Sequence, residues 1–254
     1  MILPFYWMIA TSIMTTRQIM AYPPRIIPAP ATLDHFREVL ATVPFGLYYK
    51  NSLVIALISV GLSTLFGLVA GYSFAFYQFP LKNFFFILIL STIMVPFQVT
   101  SVSLYILLSK FKFIDTYWGV LAPNLASALG VFLMTQGIKA VPLSLVESAR
   151  MDGAGELRII IQIIAPVVKT TAVTVALILF INSWNDFLWP IIVINSAWLR
   201  TIPIGLSLYK DPYGNIAYGP LMAATVISAV PMIILYAFTQ KYMIKGFALS
   251  GIKG

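Results

Sequence analysis

Apolar residues in this chain come in long unbroken runs, without the period-two alternation of half-buried strands. Five runs approach or exceed the roughly 20 residues that a helix needs to cross a bilayer. They cover residues 53–77, 84–108, 118–134, 165–181 and 221–236. Each predicts a membrane-spanning helix. Pro96 and Pro231 fall inside two of them, where kinks are expected and neighbouring helices can satisfy the freed carbonyls. Tyr77, Trp118, Trp184, Trp189 and Tyr236 mark run edges, the depth that Tyr and Trp favour. A sixth run, residues 2–14, is too short to span and lacks the basic start and cleavage site of a signal peptide. It reads as the distal part of a first transmembrane helix whose native start lies upstream.

Polar connections separate the runs. Residues 15–51 carry Pro23, Pro24, Pro28 and Pro30, with a short amphipathic helix over 32–40. His35, the chain's single histidine, lies in that helix and reads as a solvated loop residue. Residues 195–219 form a second long connection with the turn formers Pro203, Pro212, Gly214 and Asn215. The connections around Lys82 and over 111–116 are short and join antiparallel neighbours.

Composition excludes a large soluble globule. The chain has 254 residues, 60% hydrophobic and 9% charged. Soluble domains carry about 25% charged residues. A net charge of +8 comes from basic residues scattered singly through loops, which suits a lipid bilayer and partner subunits and argues against nucleic acid. Those residues divide evenly between the two sides, so counting does not orient the chain, although one set occupies the shorter loops and leans towards the cytoplasm. With no cysteine, zinc and iron–sulfur chemistry lack ligands, and no metal site is expected.

The most informative polar interruption is 142–166. Ser144 and Glu147 have the spacing of a capping box, opening a helix with Val146, Ala149 and Arg150 on one face. Asp152-Gly153-Ala154-Gly155 stops it. A second helical run follows, with Leu157, Ile160, Ile161 and Ile164 at helical spacing, and Pro166 bends the entry to the next span. Small Ala149 and Gly153 would let a partner's backbone approach. A plain connection needs only a few residues, so this hairpin is built to be touched. Within the spans, Gln98, Ser101, Asn124 and Asn182 are polar groups that should face the bundle interior. Each reads as an interhelical hydrogen-bonding group or as lining for a solute path, with Gln98, Asn124 and Asn182 the path candidates. Asp186, between Trp184 and Trp189, reads as an interfacial cap.

Glu147-Ser148-Ala149, then Gly153 after three residues and Ile163-x-Ala165-Pro166 after nine more, resembles the E-A-A-x3-G-x9-I-x-L-P signature of ABC importer permeases. Ser148 and Ala165 depart from it. Ala21-Tyr22-Pro23-Pro24, Tyr49-x-Asn51-Ser52-Leu53, Pro96-x-Gln98-Val99 and Tyr117-Trp118-Gly119 extend the resemblance. So do Ser183-Trp184-Asn185-Asp186-Phe187-Leu188-Trp189-Pro190 and the tail Gly251-Ile252-Lys253-Gly254. These strings are similar to the carbohydrate-uptake class, in particular the smaller permease of maltose-type systems.

The resemblance implies an all-α integral membrane protein: a six-helix ABC importer transmembrane domain filling residues 1–254, with 142–166 as a cytoplasmic coupling-helix loop. It implies a bacterial or archaeal cell (inner) membrane location, with both termini cytoplasmic. The partners implied are a second homologous permease, two ATPase subunits and an extracytoplasmic solute-binding protein. ATP and magnesium belong to those ATPases, since this chain has no phosphate-binding loop, is not itself an enzyme and needs no cofactor. ATPase docking falls to Glu147, Ser148, Ala149, Arg150, Asp152, Gly153 and Pro166, with Lys253 as a candidate ATPase-interface tail residue and 200–219 a candidate contact for the binding protein. The cargo is expected to be a sugar or sugar-like solute moved inward by alternating access. A permease for another solute such as glycerol phosphate is the alternative. An ion-coupled secondary transporter fits poorly, because the spans hold almost no ionisable residues.

Overall fold

Long apolar runs have one cheap way to satisfy their backbone, the helix. The computed structural model describes the backbone of residues 3–209 and 216–250, and side chains as far as Gln240. Among these residues no β-strand forms. The helices are α1 (Leu3–Ser12), α2 (Thr16–Ile19), α3 (Asp34–Thr42), α4 (Phe45–Phe76), α5 (Lys82–Met94), α6 (Phe97–Lys110), α7 (Tyr117–Leu121) and α8 (Ala128–Lys139). They continue with α9 (Leu143–Met151), α10 (Glu156–Arg158), α11 (Ala165–Val167), α12 (Lys169–Trp184), α13 (Leu188–Val193), α14 (Ile202–Leu206) and α15 (Tyr218–Ser250). Pro212, Gly214 and Asn215 of the second long connection, and the 251–254 tail with Lys253, lie outside the described residues.

Two helices are long and apolar enough to cross a membrane unbroken: α4, and α15 over Tyr218–Gln240. Three further spans form only if bent pairs are counted as one each. Together these coincide with the five apolar runs. The bends exceed simple kinks. The α5–α6 pair turns through 101° at Val95–Pro96, α7 with its 3-10 extension meets α8 at 44°, and the α10–α11 segment meets α12 at 85°. Pro96 explains the first, because the residue before proline is driven out of the helical region, and Val95 is extended at φ −85°, ψ 116°. At Pro231 the α15 helix continues without a break.

The chain divides into two compact units. The first comprises the residues up to Val54 together with Asn185–Leu235. Here residues 195–209, the described first part of the second long connection, form a strap. Asn51 Nδ2 donates to the carbonyls of Trp198 (2.8 Å) and Arg200 (3.0 Å), and Ser52 Oγ accepts from the Ile202 amide at 2.8 Å. The Tyr49-x-Asn51-Ser52 string therefore pins the strap. His35 corrects the sequence expectation: it is 6% exposed, on the inward face of α3 with Val39, and its ring lies where a Gly219 side chain would stand. The absent Cβ makes the room.

The second unit comprises Ile55–Trp184 and the residues from Tyr236 onward. Its core joins Leu68 and Tyr72 of α4, Met134 and Ile138 of α8, Val146 and Ala149 of α9, Ile159, Ile160 and Ile164 of the following segment, and Val175 of α12. Close approach of α4 to α8 depends on Gly71, where an added Cβ would sit 2.9 Å from the Thr135 amide nitrogen. On α5 no residue is buried, and Phe84, Ile87, Leu88 and Met94 lie more than half exposed. An apolar surface of this kind is suited to lipid or a second membrane subunit.

Gly71→Ala is expected to destabilise the folded protein by about 1–3 kcal/mol through overpacking against backbone. Gly61→Ala, where an added Cβ meets nothing within 4 Å, is the control and should be neutral or stabilising. Thermal unfolding of the two variants in detergent reads the difference.

Candidate functional site

Helix α9 starts differently from the capping-box expectation. Pro142 occupies the N-cap without a side-chain cap bond, and its carbonyl accepts from the Leu145 amide at 3.2 Å. Ser144 is thus already inside the helix. Glu147 is left pointing out, free of the reciprocal bond that a box would require. At the other end the glycine stop is as expected. The Ala154 amide bonds the Ala149 carbonyl and the Gly153 amide bonds the Arg150 carbonyl, each at 3.0 Å, with Gly153 at φ +79°. This is a Schellman cap, in which the residue after the cap adopts the left-handed conformation that glycine takes without penalty.

The second half of the loop is π-helical over Ile159–Ile164. Pro166 follows after Ala165 and has no amide to donate, so the widened turn relieves its ring against the preceding carbonyls. Expected helical spacing is only half met: Ile160 and Ile164 are buried, whereas Leu157 and Ile161 are 70% and 61% exposed. Ile159 completes the inner face.

The loop's inner and outer faces do different work. Val146 and Ala149 are buried in the core, so Ala149 packs internally and is not a surface for a partner. Arg150 is also committed within the unit. Its Nε donates to Glu156 Oε1 at 2.9 Å, and its Nη2 reaches Glu156 Oε2 and the Tyr72 hydroxyl, each at 3.4 Å. Tyr72 donates its hydroxyl to Glu156 Oε2 at 2.6 Å, and the Tyr77 ring lies 5.5 Å below the guanidinium. Hydrogen bonding from Arg150, then from Tyr72, holds the Glu156 carboxyl below the usual carboxylate range; the same Glu156 bond raises Arg150. The cluster ties both arms of the hairpin to α4. Exposed around the elbow are Glu147, Ser148, Asp152, Gly153 and Pro166, with Met151 89% exposed beside them.

Of the path candidates, Asn124 and Asn182 come together in one cavity of about 200 Å³; Gln98 is not among its lining residues. Gln98 is exposed at the start of α6, just after the bend, and Ser101 bonds its carbonyl at 2.8 Å. Four serines, Ser59, Ser63, Ser127 and Ser183, share the cavity wall with the two asparagines. Ser63 Oγ donates to the Asn124 carbonyl at 2.6 Å, which the break between α7 and α8 frees. Ser127 accepts from the Gly130 amide at 3.2 Å and caps α8. Sequence reading missed these serines, although Ser59 and Ser63 stand four residues apart on one helical face. Asp186 is a cap, accepting from the Trp189 amide at 3.3 Å, and burial raises its pKa.

Residues 63–248, which contain the hairpin and most of the cavity wall, match the family model described as binding-protein-dependent transport system inner membrane component. The chain belongs to that family. It is 37% identical to the arabinooligosaccharides transport system permease protein AraQ of Halalkalibacterium halodurans, over 89% of this permease and 81% of the relative. It is 32% identical to the sn-glycerol-3-phosphate transport system permease protein UgpE of Brucella abortus, over 96% and 89%. A crystal structure of a bacterial ABC transporter involved in the import of the acidic polysaccharide alginate shares the fold, with a TM-score of 0.85 at 20% identity, covering 95% of this permease and 90% of that chain. The all-α membrane fold and the ABC importer permease assignment follow from these matches.

Tyr72→Phe is expected to cost about 1 kcal/mol of stability by removing one hydrogen bond to the carboxylate. Glu156→Gln gives a pH signature. Because the folded carboxyl sits below its ordinary value of 4.5, its contribution is complete above 4.5 and is lost as pH falls through the depressed folded value. Thermal melts of the wild type and Glu156→Gln should differ near neutral pH and converge as the pH is lowered below that depressed folded value.

Proposed function

We propose that this chain is a membrane-spanning permease subunit of an ATP-driven importer for a sugar or sugar-like solute. Hairpin 142–166 is its docking element for an ATPase on the cytoplasmic side. The observation that carries this reading is the two-faced hairpin. Its inner face is locked into the core of the membrane helices, and its outer face presents Glu147, Met151, Asp152 and Gly153 without a partner surface of its own. A segment built that way transmits a push without absorbing it. The arabinooligosaccharide and glycerol-phosphate transport named for the relatives supports an organic, oxygen-rich cargo.

In this mechanism ATP closes two ATPase subunits on each other, and nucleotide and magnesium sit on those subunits. Closure displaces the hairpin, and the displaced hairpin rocks the helices packed on it. Such rigid-body rocking about a central site is how alternating access is achieved. A second homologous permease completes the pathway, and an extracytoplasmic binding protein delivers the solute. The docking residues are Glu147, Ser148, Asp152 and Gly153, with Met151 added from its exposure. Arg150 acts one step back, as the residue that holds the hairpin in shape. Both termini lie on the hairpin side.

Gly153→Asp tests the docking reading. Aspartate tolerates the left-handed conformation better than most residues, and a Cβ at this position meets nothing within 4 Å. The variant should therefore insert and fold, yet lose at least about tenfold of ATP-driven uptake, because the added charge obstructs seating on the ATPase. Uptake assays in membrane vesicles, with immunoblotting for insertion, measure both. Normal uptake by the inserted variant would refute docking at this elbow.

A further inference from the structure

We propose that the serine-lined cavity is a subsite for an uncharged, hydroxyl-rich solute group such as one sugar ring, and that it disfavours phosphate esters. The proposal rests on the permease reading above and narrows its cargo.

Position supports it. Ser59 and Ser63 precede Tyr72 by thirteen and nine residues on the continuous α4 helix, so they stand about 20 and 14 Å from the hairpin clamp. Asn51 and Tyr72 bracket about 30 Å of that helix, the thickness of the hydrocarbon layer. The cavity thus lies at membrane depth, where polar lining is costly unless something polar occupies it.

Hydrogen bonding supports it further. Hydroxyls at this depth normally satisfy themselves against their own helix. Thr135 donates to the Val131 carbonyl at 2.7 Å, and Thr174 to the Thr170 carbonyl at 3.0 Å. Ser59 and Ser183 do not. Both hydroxyl oxygens are buried without a hydrogen-bond partner, and Ser59 is 3% exposed. Each face of the cavity therefore holds an unpartnered group that both donates and accepts. Asn124 and Asn182 add two amides with the same dual capacity. That is the complement of a sugar hydroxyl.

Charge decides against a phosphate. Among the described residues, no Lys, Arg, His, Asp or Glu lines the cavity. A doubly charged ester moved from water into such a wall would lose its hydration with no counter-charge in return. The start of α8 supplies only about half a positive charge, and its Gly130 amide is already taken by Ser127. That suits a hydroxyl oxygen and falls short of what a phosphate needs.

The test uses the complete importer, with its partner permease, ATPases and loaded binding protein, in proteoliposomes. ATP-driven uptake is measured for radiolabelled neutral oligosaccharides, arabinotriose and lactose among them, and for sn-glycerol 3-phosphate. Wild type should carry a neutral sugar. Ser59→Ala and Ser183→Ala should each lower kcat/KM for it by about 3- to 10-fold, the worth of one hydrogen bond. The melting temperature of the purified complex should stay level or rise, because each change deletes a buried hydroxyl that lacks a partner. Unchanged kcat/KM, or a lowered melting temperature revealing a structural hydroxyl, would overturn the subsite. Uptake of glycerol phosphate in place of neutral sugars would overturn it too, while leaving the permease reading intact. Absence of ATP-driven uptake of either class would overturn both.

Discussion

One tyrosine hydroxyl, shared with a carboxylate and a guanidinium, fixes the hairpin on the helix beneath it. Tyr72 stands at one end of a 32-residue helix and donates to Glu156 on the far arm of the hairpin. Arg150, on the near arm, closes the triangle. Either ion pair or hydrogen bond alone would be weak at a site this exposed. Their strength lies in topology, since both arms of the hairpin are fixed to a helix 78 and 84 residues earlier in the chain. Beneath them Val146, Ile159 and Ile164 are each fully buried, worth about 1.5–3 kcal/mol apiece relative to exposure. Apolar burial holds the hairpin down, and the polar triangle fixes its angle.

That division explains a conflict within the sequence signature. Its small residue Ala149 and its glycine look interchangeable as contact points for a partner. In the fold they face opposite ways. Ala149 faces inward, where a larger side chain would lift α9 off Ile159 and Ile160. Gly153 faces outward, where its role is conformational, supplying a positive φ to end the helix in a tight turn. Both constraints act on the hairpin's shape, one through volume and one through backbone geometry.

Much of the architecture was legible in the sequence because bilayer thickness imposes a length on apolar runs. Five runs correspond to two unbroken helices and three bent pairs, and the Asp152-Gly153 stop was readable because left-handed backbone favours glycine. The misreadings have other causes. Ser144 and Glu147 have capping-box spacing, yet Pro142 had already fixed the helix start two residues earlier. His35 looked solvated because its burial depends on Gly219, far along the chain. Arg150 looked available because its partners, Tyr72 and Glu156, are recognisable only once the hairpin has folded back. For Ser59 the one signal was its spacing from Ser63, and Ser183 had no such neighbour: a serine in an apolar helix ordinarily bonds its own carbonyl, and local sequence does not say when it fails to. For His35 and Arg150 a non-local contact overrode a sound local pattern.

The clamp and the cavity belong to one mechanical body. Helix α4 carries Ser59 and Ser63 towards the cavity, and Leu68 and Tyr72 in the hairpin core. Helix α8 begins at the cavity beside Ser127 and runs into the core at Met134 and Ile138. Helix α12 reverses that order, leaving the core at Val175 and reaching the cavity at Asn182 and Ser183. All three therefore contribute residues both to the hairpin core and to the cavity wall. A twelve-residue helix such as α8 is about 18 Å long, so a tilt of about 5° at its hairpin end moves its cavity end by about 1.5 Å. That is the difference between a hydrogen bond made and one broken. Close packing keeps the core from absorbing the displacement. Continuous helices and one shared core thus join the hairpin to the cavity wall, the mechanical link that the proposed docking requires.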